Sequence, residues 1–281
     1  MLAKLMKYDL RSALRKFGPL WLAVVALSVL IGLSFRFVID APGQRSGLVI
    51  FLLGVLPSMV LFALFVAMAA MALIFIIQRF YRGLLGDEGY LMFTLPASAG
   101  AHIASKGLTA LILETVSWLV AVLSGVLLFT VYQPTELARG WQTMWLELRK
   151  LQLPAATPWL FAEALLVLLA VAAAATLKIY LAIALGHLAK KHRALWALLA
   201  YIGIGVALNA VFGIAMNSGL LPRILGRGMS WGLSYVDDVL TLNSPGAAAG
   251  ALGSALLFEL LLCALYFFLT RTILKRRLNL E

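Results

Sequence analysis

Four ionisable side chains lie inside long apolar runs: Glu114, Glu163, Lys178 and Glu259. A lone charge near the centre of a bilayer costs about 2.5–3.5 kcal/mol or more, so each such residue calls for a partner, a proton or a function. The chemistry open to them is ion pairing between helices, proton uptake or the lining of a polar path. Glu114 stands eight residues after Lys106, and Lys178 nine residues before His187. At 1.5 Å per residue both lie at similar depth, ~12 and ~13 Å from the same edge. Side chains lean toward the N-terminus of their helix, which turns Lys178 away from that edge. This predicts a Glu114–Lys178 contact between neighbouring spans. Glu259 falls midway along the last apolar run with no obvious basic partner. Two readings stand side by side for it: a wall of a translocation path or proton site, and a protonated carboxyl hydrogen-bonded within the bundle. Glu163 is only about 6 Å from Trp159, close enough to water to need little explanation.

A second group of chemically expressive residues sits between two apolar runs, at Gly86-Asp87-Glu88-Gly89-Tyr90-Leu91-Met92-Phe93-Thr94-Leu95-Pro96. Asp87 can cap a short helix, and Glu88 in its first turn complements the helix dipole. Pro96 ends that helix and Ser98 offers a cap for the next. The pattern predicts a helix over 86–96 lying across one membrane surface and offering Tyr90, Leu91, Phe93 and Leu95. Two acids would be repelled by an anionic leaflet, so a protein partner suits this face better than lipid head groups.

Other chemistry is missing. No G-x-x-x-x-G-K-[ST] loop is present, so nucleotide is not bound by that route, and H-E-x-x-H and G-x-S-x-G are missing too. His187 and His192 are five residues apart with no third ligand near in sequence, and read as solvated interfacial histidines rather than a metal site. Cys263 is the sole cysteine and reads as a small hydrophobe. Neither catalysis nor a resident metal is expected of this chain.

The elements that must position these residues are apolar. Of 281 residues 63% are hydrophobic and only 12% charged, half the charge of an ordinary soluble domain; the chain reads as an all-α integral membrane protein. The formal charge of +11 is carried at the ends of apolar runs rather than on one face among stacking aromatics, which argues against nucleic acid. Residues 1–16 carry Leu2, Leu5, Met6, Leu10 and Leu14 at helical spacing among five bases, and predict an amphipathic helix in the membrane interface. Spans are expected over about 18–39, 48–77, 106–132, 159–186, 194–217 and 247–270. The second, at ~45 Å as continuous helix, calls for a tilt, a kink at Pro57 or an extension beyond the bilayer. Residues 134–152, with Trp141 and Trp145 on one face, predict an interfacial helix on the opposite side. Segments 1–16, 78–107, 187–193 and 271–281 hold fifteen bases and the alternate connections six. Bases favour the cytoplasm, so six spans with both termini cytoplasmic are expected.

With these motifs in view, the block GDEGYLMFTLPASAGAHIASKGL resembles the segment joining the second and third spans of bacterial ABC-2 type transporter permeases. KLMKYDLRSALRKFGPLWLA is similar to their amino-terminal interfacial helix, and KIYLAIALGHLAKKHRALWALLAYIGI to their hairpin of the fourth and fifth spans. The similarity covers most of the chain, more weakly after about Asn209. It implies the permease subunit of an ATP-driven transporter, an exporter in the bacterial cell membrane. Such a chain pairs with a second permease chain, identical or not, and docks a separate ATP-binding subunit that holds ATP and Mg. The resemblance makes residues 86–96 the coupling helix, with Asp87, Glu88, Tyr90, Leu91, Phe93 and Leu95 meeting that subunit. It also implies that Trp231 to Pro245 dips into the membrane. This chain departs from the family pattern at Ala99-Gly100-Ala101, where a longer polar side chain is usual. Two other classes of function fit the composition alone: a gradient-driven secondary transporter or channel using Glu114, Lys178 and Glu259, and a non-transporting membrane sensor or assembly component.

Overall fold

The structure, a computed structural model, describes residues 2–38, 47–82, 99–150, 157–189, 191–218, 233–236, 239–242 and 245–276. Its helices are α1 (Leu2–Val38), α2 (Gly47–Ile50), α3 (Leu56–Phe80), α4 (Ala99–Tyr132), α5 (Pro134–Lys150), α6 (Thr157–Gly186), α7 (Arg193–Asn217) and α8 (Pro245–Arg276). A π-helical turn, Phe51–Val55, joins α2 to α3. Six stretches are long and apolar enough to cross a membrane: Met6–Phe37, Gly47–Phe80, Gly100–Tyr132, Trp159–Gly186, Arg193–Ile214 and Ala249–Lys275. Helices that bury only part of themselves and leave Leu, Val, Phe and Trp outward over their length need lipid as their solvent. The chain is a multi-pass membrane protein. Hydroxyls along these helices bond to the carbonyl one turn back, as Thr109 to Ser105, Thr176 to Ala172 and Thr270 to Tyr266, which satisfies them without water.

Three local results differ from the sequence expectation. The amphipathic residues 1–16 and the first span form one unbroken helix, α1; its 37 residues reach ~56 Å. Pro19 is carried inside it. The irregularity expected at Pro57 is the π turn just before it, where the Leu56 N–H donates to Phe51 O five residues back. Proline lacks the N–H that would continue the ladder and crowds the preceding turn, and the wider turn accommodates both. Finally, the described residues are not all helical: β1 (Leu233–Val236) and β2 (Val239–Leu242) pair antiparallel, with Leu233 opposite Leu242 and Val236 opposite Val239. These strands lie within the region the family resemblance expects to dip into the membrane.

The chain divides into two compact units. The α1 unit comprises Ala3–Phe75 and Ile112–Leu146, hence α1, most of α3, most of α4 and the exposed start of α5. Here α1 runs parallel to α4 at a constant offset: Trp21 Nε1–H donates to Ser117 Oγ at 3.2 Å across 96 residues, and Gly32 lies against Leu128 and Val131. A Cβ on Gly32 would stand 2.8 Å from Leu128 O, so only glycine permits this approach. Phe17 packs edge-on to Phe75 of α3 at 5.8 Å, and Val24, Ile31 and Leu61 continue the core. The α6 unit comprises Met1–Leu2, Ile76–Leu111 and Glu147–Glu281. Its α6 packs most extensively against α8 and next against α7. Gly186 at the end of α6 touches Ala197 of α7, as a helical hairpin with a short turn requires. His192 closes that turn in the left-handed region, φ 54°.

Candidate functional site

In the α6 unit, four helix ends meet in one apolar core. Phe80, the last residue of α3, stacks on Tyr180 of α6 with ring centroids 4.2 Å apart and planes 12° from parallel. Ile76, Ile103 of α4, Ile183 of α6 and Leu274 of α8 surround the pair, and Tyr180 is 0% exposed. Gly100 in the first turn of α4 lies against Phe267 and Arg271 of α8. Tyr81 leans on His187 at 5.8 Å. The two chain ends that flank residues 83–98 are therefore locked into the same core by large side chains. The expected coupling residues Asp87, Glu88, Tyr90, Leu91, Phe93 and Leu95 themselves lie outside the described residues.

His102, Ser105 and Lys106 are buried on α4 beside this core, two of them one helical turn apart from each other. His102 and Lys106 both make polar or electrostatic contacts. His187 Nε2 is 3.3 Å from Arg193 Nη1; a guanidinium has only donors, so the ring nitrogen accepts. Among the described residues no group of three or more His, Cys, Asp or Glu is placed to hold a metal.

Lys178 of α6 is held by aromatic rather than acidic chemistry. Its Nζ lies 4.2 Å from the ring centroid of Tyr201 on α7 and within 3.0 Å of where a Gly205 side chain would begin. Tyr201 and Gly205 are one turn apart, so the ring and the bare backbone form one slot for the ammonium. Glu114, the expected partner, belongs to the α1 unit, and among the described residues no carboxylate forms a salt bridge with Lys178. Sequence reasoning missed both Tyr201 and Gly205.

Glu259 sits half-exposed on α8. The hydrogen bond within the bundle that one sequence reading gave it is not formed with any described residue. One turn on, Cys263 donates to Ala170 O of α6 at 3.7 Å. Tyr266 follows on the same face, 3% exposed, its hydroxyl buried without a partner among the described residues. Glu163 requires more account than its nearness to Trp159 suggested. Its Oε2 is buried without a hydrogen bond among the described residues, and its Oε1 lies 3.1 Å from where a side chain on Gly253 of α8 would begin. A glycine opposite the acid is what leaves room for the carboxylate between α6 and α8.

In the α1 unit, Glu114 lines an open-sided groove of about 490 Å³ between α3 and α4. Phe65 and Met68 of α3 and Trp118 of α4 bound it, and Ser117, held by the Trp21 indole, stands in its wall. Glu114 makes a further polar or electrostatic contact. The chain matches no model of a known protein family, no curated protein and no solved structure.

Proposed function

We propose that this chain is the membrane-spanning permease subunit of an ATP-driven ABC transporter of the ABC-2 type, working as an exporter in the bacterial cell membrane. It pairs with a second permease chain and couples through residues 86–96 to a separate ATP-binding subunit. Both termini and residues 83–98 face the cytoplasm, as the distribution of bases favours. The observation that carries the reading is that the helices entering and leaving residues 83–98 end in one tightly packed core, at the Phe80–Tyr180 stack with Ile103 and Leu274. A coupling element must transmit a push, and that needs rigid helices at both of its ends. Six membrane-length helices and the resemblance of the GDEGYLMFTLP block supply the rest.

On this reading ATP-driven closure of the partner subunits displaces residues 86–96. The Phe80–Tyr180 core hands that displacement to α6 and α8, whose long contact moves as one body. Tyr90, Leu91, Phe93 and Leu95 anchor the partner groove while Asp87 and Glu88 orient it against bases. The test is co-purification from native membranes. Asp87→Lys with Glu88→Lys is expected to abolish both retention of an ATP-hydrolysing subunit and stimulation of its turnover, with membrane insertion intact. Tyr180→Ala, which empties the core without touching the docking residues, is expected to retain the subunit but lose stimulation. A doubly reversed chain that still stimulates its partner normally would overturn the proposal.

A further inference from the structure

We propose that the outward face of α1 binds an anionic phospholipid, with its phosphate against Arg11 and Arg15 and its acyl chains along the aliphatic residues that follow. The side chains of α1 divide by direction. Ala13, Phe17, Val24 and Ile31 are all 0% exposed and lie on the side that packs on α3 and α4, where Phe17 meets Phe75 and Gly32 meets Leu128. On the other side Tyr8 and Leu22 are 71% and 72% exposed, and Arg11, Arg15 and Ala26 are exposed with them. These five follow one another at steps of three, four, seven and four residues, a spacing that keeps them on one face of a helix. The face therefore runs from an aromatic ring through two guanidiniums into bare hydrocarbon.

That line exists because α1 is unbroken. A helix lying in the interface and turning at Gly18-Pro19 would aim its bases elsewhere than its lipid-facing leucines, whereas one helix of 37 residues holds both in register. Counted back from Arg36, about 20 residues cover the hydrocarbon, which puts the other boundary near Phe17. Arg15 and Arg11 then stand ~3 and ~9 Å beyond it, at the depth of lipid head groups. From Arg11 to Ala26 is ~22 Å, about one leaflet with its head groups. Asp9 is the sole acid in residues 1–39 and is 6% exposed, so no carboxylate stands on this face to offset the guanidiniums. Among the described residues neither arginine forms a salt bridge. A guanidinium meets a phosphate through paired, charge-assisted N–H bonds, and Tyr8 places a ring at the level where such rings favour head groups. An acidic protein surface would match the two charges but not the aliphatic continuation at Leu22 and Ala26. The inference rests on the chain's place in a membrane and not on the transporter reading.

The test uses the full chain in nanodiscs of phosphatidylcholine carrying a trace of spin-labelled lipid, either phosphatidylglycerol or phosphatidylcholine with the same chains. Phosphatidylglycerol is expected in the motionally restricted population with a preference of about twentyfold or more, and unlabelled phosphatidylglycerol should displace it. Arg11→Gln with Arg15→Gln should remove most of that preference, at roughly fivefold for each base. Arg11→Lys with Arg15→Lys keeps the charge and should retain the greater part. Both side chains are exposed, so these variants leave the packing of α1 intact. Lys191→Gln with Lys275→Gln removes two exposed bases elsewhere and should leave the preference unchanged. Equal retention of the two lipids, displacement by soluble glycerol phosphate, or an equal loss on removing Lys191 and Lys275 would each overturn the assignment. A face made for an acidic protein would show itself as the first of these results. The coupling test at Asp87 and Glu88 reads a different partner, so the two proposals fail separately.

Discussion

An ammonium inside a membrane helix usually signals a carboxylate nearby, yet Lys178 rests over Tyr201 at 4.2 Å with Gly205 beneath its Nζ. A cation over an aromatic face gains about 0.5–2 kcal/mol when partly desolvated. Tyr201→Leu is therefore expected to lower stability by about 1 kcal/mol in a detergent unfolding titration. Lys178→Met, which keeps the chain length and removes the charge, should leave stability unchanged or raise it, because an intramembrane cation costs more than this contact returns. In the Lys178→Met background Tyr201→Leu should cost little; additive losses from the two substitutions would contradict the contact. The need for a partner was legible in the sequence, since Lys178 lies deep in an apolar run. Its identity was recoverable only through register. Gly186 meets Ala197 across the α6–α7 turn, and eight residues back on α6 and eight forward on α7 bring Lys178 to Gly205. Depth is a one-dimensional measure that says nothing about which side of a helix a residue occupies, so it could not bring Tyr201 to notice.

Helices were readable from composition and their contacts were not, for the same reason. Long runs such as Trp159–Gly186 declare a span by length and hydropathy, and the helix over Pro134–Lys150 follows from its alternating faces. The strands Leu233–Val236 and Val239–Leu242 carried a signal too, two β-prone quartets two residues apart, but it is short and was outweighed by the helical character of the whole. The break between an interfacial helix and the first span, which Gly18-Pro19 would favour, has no counterpart: Pro19 is carried inside α1. Glycines separate what packs closely from what merely lies in lipid. A side chain at Gly32 meets Leu128 O at 2.8 Å and Val131 Cβ at 2.9 Å, whereas one at Gly125 meets nothing within 4 Å. Gly32→Ala must push α1 off α4, at about 1–3 kcal/mol, while Gly125→Ala gains up to about 1 kcal/mol in helix propensity. Thermal unfolding of the two variants should move in opposite directions. A neutral Gly32→Ala would mean that α1 and α4 are not in register at the 96-residue offset set by Trp21 and Ser117.

Every functional statement about residues 83–98 depends on which side of the membrane they face, and the transporter reading commits the whole chain to one arrangement. On the proposed arrangement the fifteen bases in the segments 1–16, 78–107, 187–193 and 271–281, against six in the alternate connections, put the former set in the cytoplasm by the positive-inside tendency. With six membrane-length helices, that arrangement would carry both ends of the chain to the same side and put α5 on the other. The chain offers a clean measurement because Cys263 is its sole cysteine. In a Cys263→Ala background, Arg139→Cys reports on exposed α5 and Lys191→Cys on the turn between α6 and α7. A membrane-impermeant maleimide added to intact cells is expected to label Arg139→Cys and to reach Lys191→Cys only after permeabilisation. The reverse pattern would turn residues 86–96 outward, away from any source of ATP. The Phe80–Tyr180 core would then brace a segment that no nucleotide-driven subunit could push, and the coupling proposal would fail.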